Sequence, residues 1–373
     1  AGTQTSNIIA GGASDPPANS NQVNTSFEYD GSSWTAGGAL NTTRFAGSGF
    51  GATNTAALIV GGSAYPGSAA QAVSESYNGT AFTEVADLNT ARGETFGGAG
   101  TSTAGVVYGG RTNPGGTNRA QTENWNGSAW TETADLNTAR GELAGSGTSY
   151  TAAIAFGGYT TTALANTETW DGSSWTEVAD VNTSCSQAGG NGATSSATMK
   201  YGGETSGASP TKNNGATELW NGSSWTEVAD LNTARTQLAP FGTWTSQMAS
   251  SGYRGTPAGR TSDSEVWDGT SWTEVAEPNG GTIEGRMGAG VDSTSGVIFG
   301  GRAHPTYYAL TEIWDGTSWT ETADMATARY NGTGMGSTAS ALAAGGVTSP
   351  GATVATTEEF FGADFVIKTV TTS

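Results

Sequence analysis

The chain has 373 residues, 58 of them glycine, and a formal charge of −19 with only 14 basic residues. So acidic a surface argues against nucleic acid or an anionic membrane as a partner, and no apolar run is long enough to span a bilayer as a helix. One cysteine excludes an intrachain disulfide, and the glycine is periodic and interleaved with 12 tryptophans, which argues for packing rather than disorder.

The first elements are Asn7-Ile8-Ile9-Ala10-Gly11-Gly12, then Phe27-Glu28-Tyr29 and Ser33-Trp34-Thr35. The second repeat restates them as Ala57-Leu58-Ile59-Val60-Gly61-Gly62, Glu75-Ser76-Tyr77 and Phe82-Thr83-Glu84. Each later repeat does the same, down to Glu358-Glu359-Phe360-Phe361 and Phe365. An apolar run closed by a glycine pair fits a strand covered on both faces; we label it strand B. The Gly-, Ala- and Ser-rich stretch before it, such as Ala144-Gly145-Ser146-Gly147-Thr148, reads as strand A, where small residues allow close backbone approach. Strands C and D flank Asp30-Gly31, Asn78-Gly79, Asn126-Gly127, Asp171-Gly172, Asn221-Gly222, Asp268-Gly269 and Asp315-Gly316. These dipeptides predict a tight hairpin with both central residues at positive φ.

Trp34 and Trp319 stand 285 residues and six steps apart, a period of 47.5 residues. Four short strands at that period, with no helical stretch, predict an all-β fold: a β-propeller of eight four-stranded blades filling residues 1–373 as a single domain. The alternative is seven blades plus an extra or incomplete repeat. Residue 1 is Ala, and Gly11-Gly12 follow early for a complete repeat, so an incomplete first blade and a longer polypeptide are expected.

A glycine pair, an aromatic followed by Asp or Asn, then Trp-Thr-Glu and an Arg about ten residues on resembles the kelch repeat, across the whole chain. The hairpin is shorter than in many kelch repeats, with aromatics only five apart, as in Trp220 and Trp225. The wording of the repeats is also similar to kelch-like arrays in structural proteins of marine tailed phages. That resemblance implies a virion or tail-fibre component, exposed on the virion surface and extracellular.

Every repeat has a Glu before its first hairpin aromatic (Glu28, Glu75, Glu123, Glu168, Glu218, Glu265, Glu312, Glu358), and six have the later Arg (Arg44, Arg92, Arg140, Arg235, Arg286, Arg329). Catalysis needs one asymmetric site, so residues repeated this often are expected to be scaffold, with Glu and Arg pairing and Trp filling the space between blades. Cys185 replaces the Arg of its repeat and reads as a tolerated substitution. The sialidase Asp box fails on spacing, because Asp and Gly are adjacent here. Copper oxidases with kelch propellers need two His and a Cys–Tyr cross-link, whereas His304 is the single histidine. No nucleophile motif accompanies His304 and no Asp-x-Asp-x-Asp calcium loop appears. No enzyme activity, cofactor or metal is therefore expected.

The repeats differ most in the B–C loops, roughly 13–24, 63–72, 111–121, 159–166, 204–216, 253–262, 302–310 and 347–355. With Asp263, one residue past the sixth, counted in, they hold Arg111, Arg119, Lys212, Arg254, Arg260 and Arg302 against Asp15, Glu204 and Asp263: net +3, with −22 left for the rest. Tyr65, Tyr159, Tyr253, His304, Tyr307 and Tyr308 lie in the same loops. Loops on a rigid scaffold are where binding residues collect, and Arg with Tyr suits bidentate hydrogen bonding and ring stacking. The expectation is a non-catalytic binding or display module whose B–C loops share one face with the D–A linkers. Its partners would be host-surface glycan, bound in a salt-sensitive way, or other virion proteins in a larger, oligomeric assembly. The alternatives are a purely structural assembly role, or a secreted polysaccharide-active enzyme with unrepeated carboxylates converging on the axis.

Overall fold

The computed structural model describes residues 2–3, 6–13, 22–29, 34–44, 47–53, 55–64, 69–93, 97–112, 116–205, 213–255, 259–325, 328–330, 333–337, 340–344, 357–361 and 364–366. Within them the chain is all-β, a succession of four-stranded antiparallel sheets, each a simple A–B–C–D meander. One sheet comprises Gly97–Gly100, Gly105–Tyr108, Thr122–Trp125 and Trp130–Glu132. These sheets are consistent with propeller blades. The first sheet has the shortest strand A, Gly2–Thr3. Two compact units divide the chain: Ala1–Ala13, Pro17–Met199 and Glu218–Thr226 in one, and Ser14–Pro16, Lys200–Thr217 and Glu227–Ser373 in the other.

Burial follows the expected strand classes. Strand B is covered on both faces, with Ala153, Ile154, Ala155 and Phe156 all fully buried. Strand D buries only its Trp, leaving the following Thr and Glu exposed, as at Trp175–Glu177. Strands A of successive repeats pack together: Gly97–Gly100 on Ala144–Ser149 in one unit, Ala239–Thr243 on Met287–Asp292 in the other. Small residues are required there. A Cβ added to Gly288 would sit 2.6 Å from the carbonyl oxygen of Pro240 on the preceding repeat's strand A.

The hairpin differs from expectation in its mechanism. The aromatics pair directly, Trp125 with Trp130 and Trp170 with Trp175, enclosing four residues rather than two. Only the glycine takes positive φ, 95° at Gly127 and 98° at Gly172. Asn or Asp is there for its side chain: Asp171 Oδ1 accepts the backbone N–H of Ser173 and of Ser174, each at 2.8 Å, and Asn126 does the same for Ser128 and Ala129. Such local capping suits Asn and Asp equally. The backbone N–H groups of Ser174 and Ser173 hold the exposed Asp171 carboxyl down at about 2.

At the end of strand B both glycines of a pair are left-handed, with φ of 58° and 106° at Gly61 and Gly62. The sixth repeat places Ser251 at the first position with φ 59°. A side chain there is strained, so Ser251→Gly is expected to stabilise the chain by about 0.5–1 kcal/mol after the added flexibility of the unfolded state is deducted. The urea midpoint should rise; an unchanged or lower one would mean that the Ser251–Ser250 hydroxyl contact, 3.4 Å long, outweighs the strain.

Successive sheets are joined by a polar clasp. In five of the described linkers an Asn donates its backbone N–H and its side-chain amide to one oxygen of the next sheet's strand C glutamate: Asn41 to Glu75, Asn89 to Glu123, Asn137 to Glu168, Asn182 to Glu218, Asn232 to Glu265. The linker Arg takes the other oxygen, in Arg44–Glu75, Arg92–Glu123 at 2.7 Å, Arg140–Glu168 at 3.0 Å and Arg235–Glu265. The expected Glu–Arg pairing is thus between repeats, and fully buried. In the seventh repeat Ile283 occupies the backbone place of the Arg, its carbonyl accepting from Gly252 as that of Arg92 accepts from Gly62. Arg286, three residues on, still reaches Glu312 at 2.9 Å. Cys185 fills the same place, buried, while Glu218 accepts from Asn182 and Thr183.

The strand D tryptophans also cross between repeats. Indole N–H groups donate to the previous sheet's strand C hydroxyl: Trp130 to Ser74, Trp175 to Thr122, Trp225 to Thr167 and Trp272 to Thr217, at 2.8–3.0 Å. Their rings pack on that sheet's strand B, Trp175 on Tyr108 and Trp225 on Phe156, with centroids 4.7 and 5.0 Å apart.

Candidate functional site

The B–C segments are largely β-ribbon rather than open loop. Beyond the glycine pairs, Ser63–Ala64 pairs with Ala69–Ala70, Arg111–Thr112 with Thr117–Asn118, and Arg302–Ala303 with Thr306–Tyr307. In the sixth repeat the ribbon is continuous with the long strands Ser246–Tyr253 and Arg260–Trp267, across an irregularity between Ser250 and Gly252. Linkers lie between ribbons and bond to them. In the first unit Gln71 bridges Arg92 and Gly93 bridges Arg111; in the second Thr236 bridges Tyr253 and Glu284 bridges Arg302. Ribbons and linkers therefore share one surface within each unit.

This geometry sorts the candidate residues. Arg111, Tyr159, Tyr253 and Arg302 occupy one repeated position, the first residue after the glycine pair, whose backbone bridges the linker at Gly93, Gly141, Thr236 and Glu284 respectively. Ala13, Ser63 and Glu204 follow the other described pairs. Arg119 and Tyr308 share a second position, donating to the second glycine of the pair and accepting from the linker Arg, as Gln71 does. At both positions the backbone is scaffold and the side chain varies. His304 is exposed at a ribbon turn, before a cis peptide to Pro305. Lys212 lies outside the described residues, as do Tyr65 and Asp15.

Several of the arginines are already paired. Arg111 meets Glu142 at 3.3 Å. Arg254 pairs with Asp263 and donates to Thr261 at 2.8 Å. Burial opposes ionisation of Asp263, but Thr261, Thr233 and Arg254 together outweigh it and hold its carboxyl below the usual range. Glu284 Oε1 accepts from both Arg260 Nη2 at 3.0 Å and Arg302 Nε at 3.1 Å. Arg302 also donates to the Tyr330 hydroxyl at 2.8 Å, its guanidinium carbon 4.2 Å from the Tyr330 ring centre, and Tyr307 packs edgewise on the same ring. Burial works against the Arg302 charge, yet Tyr330, Glu284 and Tyr307 raise its pKa above the ordinary value.

The loop charge of +3 is thus offset by linker acids, Glu142 and Glu284, which a loop-by-loop count leaves with the scaffold. Glu284 and Tyr330 were missed for the same reason. Each follows the clasp position, Ile283 or Arg329, where other linkers carry Gly93, Gly141, Ser186 and Thr236. The residue after each clasp position is the signal that would have found them. Among the described residues no group of three or more His, Cys, Asp or Glu is placed to hold a metal ion. The displaced carboxylates, Asp171, Asp263, Asp268, Asp292 and Asp315, are all displaced downward, toward the ionised form.

No protein-family model and no curated protein matches the chain. Among solved structures it is similar to YjhT, a kelch-repeat β-propeller protein, over 71% of this chain and 94% of that one, with a TM-score of 0.50 and 13% identity. At that identity the likeness concerns fold alone.

Proposed function

We propose that the chain is an eight-bladed kelch-like propeller acting as a non-catalytic binding or display module. On this reading it sits on the virion or tail-fibre surface of a marine phage, and its ribbon surface contacts host-surface glycan. The observation that carries the binding role is the repeated ribbon position with a changing side chain: Arg111, Tyr159, Tyr253 and Arg302 stand on one backbone geometry. A surface that keeps its main chain and varies its side chains is how a rigid scaffold presents recognition residues. Arg and Tyr on such a surface supply planar donors and ring faces, which match sugar hydroxyls and sugar rings. The phage assignment rests on the wording of the repeats.

A glycan array probed with the purified chain at low and high salt tests this reading. Selective binding is expected. It should survive salt better than a net +3 surface would, because Glu142, Asp263 and Glu284 offset all but one of the charges of Arg111, Arg254, Arg260 and Arg302. Silence across the array would favour an assembly role, with ribbons meeting other virion proteins.

A further inference from the structure

We propose that Arg260, Glu284 and Arg302, with Tyr307 and Tyr330, form a subsite for one carboxylate or sulfate group of an acidic sugar. This deepens the glycan-binding reading and rests on it. In the described clasps each guanidinium faces one carboxylate, and Arg254 likewise faces Asp263. Here a single carboxylate oxygen, Glu284 Oε1, serves two guanidiniums, at 3.0 and 3.1 Å. The cluster keeps one positive charge after internal pairing. Glu284 is only 5% exposed, while Arg260 and Arg302 are 26% and 27% exposed. The acid is thus buried while both guanidiniums remain reachable from solvent.

The donors are also held in place. Arg302 is fixed by Glu284, by the Tyr330 hydroxyl and by the Tyr330 ring, itself braced by Tyr307. A guanidinium already ordered loses little further entropy when it takes an anion. A carboxylate, or two oxygens of a sulfate, accepts the N–H groups of a guanidinium in bidentate fashion, and the adjoining tyrosines offer ring faces and hydroxyls to the attached sugar.

Calorimetric titration of the full chain tests this, with a uronic-acid oligosaccharide, a sulfated one, their neutral counterpart and sodium sulfate. Acidic oligosaccharides should bind more tightly than the neutral one. Arg302→Gln should weaken them about tenfold, the cost of one charge-assisted hydrogen bond, weaken the neutral counterpart clearly less, and leave the melting temperature unchanged, because Glu284 retains Arg260. Glu284→Gln should shift affinity the other way, releasing both guanidiniums. Equal binding of acidic and neutral sugars, or an equal loss of both in Arg302→Gln, overturns the subsite while leaving glycan binding standing. Arg302-dependent binding of sulfate alone upholds an anion subsite and identifies a free oxyanion as its ligand. No binding by any probe overturns both readings.

Discussion

Glu123→Ala is expected to cost about 3–5 kcal/mol, because it strands a buried charge. Glu123 accepts from Asn89 N and Nδ2 at 2.6 and 3.0 Å, from Thr90 N at 3.1 Å and from Arg92 Nη2 at 2.7 Å. Removing it leaves Arg92, fully buried, with carbonyl partners only, at Gly109 and Gln121. Burial already lowers the Arg92 pKa, and Glu123 is the chief opposing influence. Both sheets meet at this linker, so the loss should appear as a lower urea midpoint. Glu123→Gln, which keeps an acceptor oxygen for Asn89, should fall between the two. A cost below 1 kcal/mol for the alanine variant would show that the clasp is incidental. Cys185 marks the limit of the requirement: one linker does without arginine while Glu218 keeps its Asn182 and Thr183 bonds. The glutamate, not the arginine, is the centre of the clasp.

Trp225→Ala should cost a similar amount, about 3–5 kcal/mol for a truncated buried tryptophan. The Trp225 ring contacts Phe156 and Trp220 with centroids 5.0 and 5.5 Å away, and its N–H donates to Thr167 Oγ1 at 3.0 Å. The change would open a void between strands B and C of one repeat and strand D of the next, and leave the buried Thr167 hydroxyl without that donor. Equilibrium urea unfolding measures the cost. A loss under 1 kcal/mol would mean that the space between repeats collapses readily and that tryptophan is not what fills it.

The strands were legible because their patterns are physical. Ala57-Leu58-Ile59-Val60 is apolar on both faces and is buried on both, and the small residues of strand A answer to close backbone contact, as at Gly288 against the Pro240 backbone. The structural status of the repeated Glu, Arg and Trp was legible from repetition itself. Their partners were not: a period states that Glu123 recurs, but only the fold states that it reaches back to Asn89 and Arg92. The hairpin Asp and Asn were assigned to positive φ because Asn-Gly fits a two-residue turn equally well; the direct pairing of Trp125 with Trp130 leaves a four-residue loop, in which the side chain caps instead. At the candidate surface, sequence singled out Arg260, Arg302 and Tyr307 but separated them from Glu284 and Tyr330, which belong to linkers. Loops and linkers come together only when ribbon and linker bond, as Glu284 and Arg302 do.

The most direct test of the division between repeated scaffold and variable surface is to measure, side by side, the unfolding free energy and glycan binding of Glu123→Ala and Arg302→Gln. A scaffold made of the repeated residues predicts that Glu123→Ala loses several kcal/mol of stability, about 3–5, while Arg302→Gln keeps its stability and loses acidic-glycan binding. Equal losses of stability in the two variants, with binding unchanged in Arg302→Gln, would contradict it.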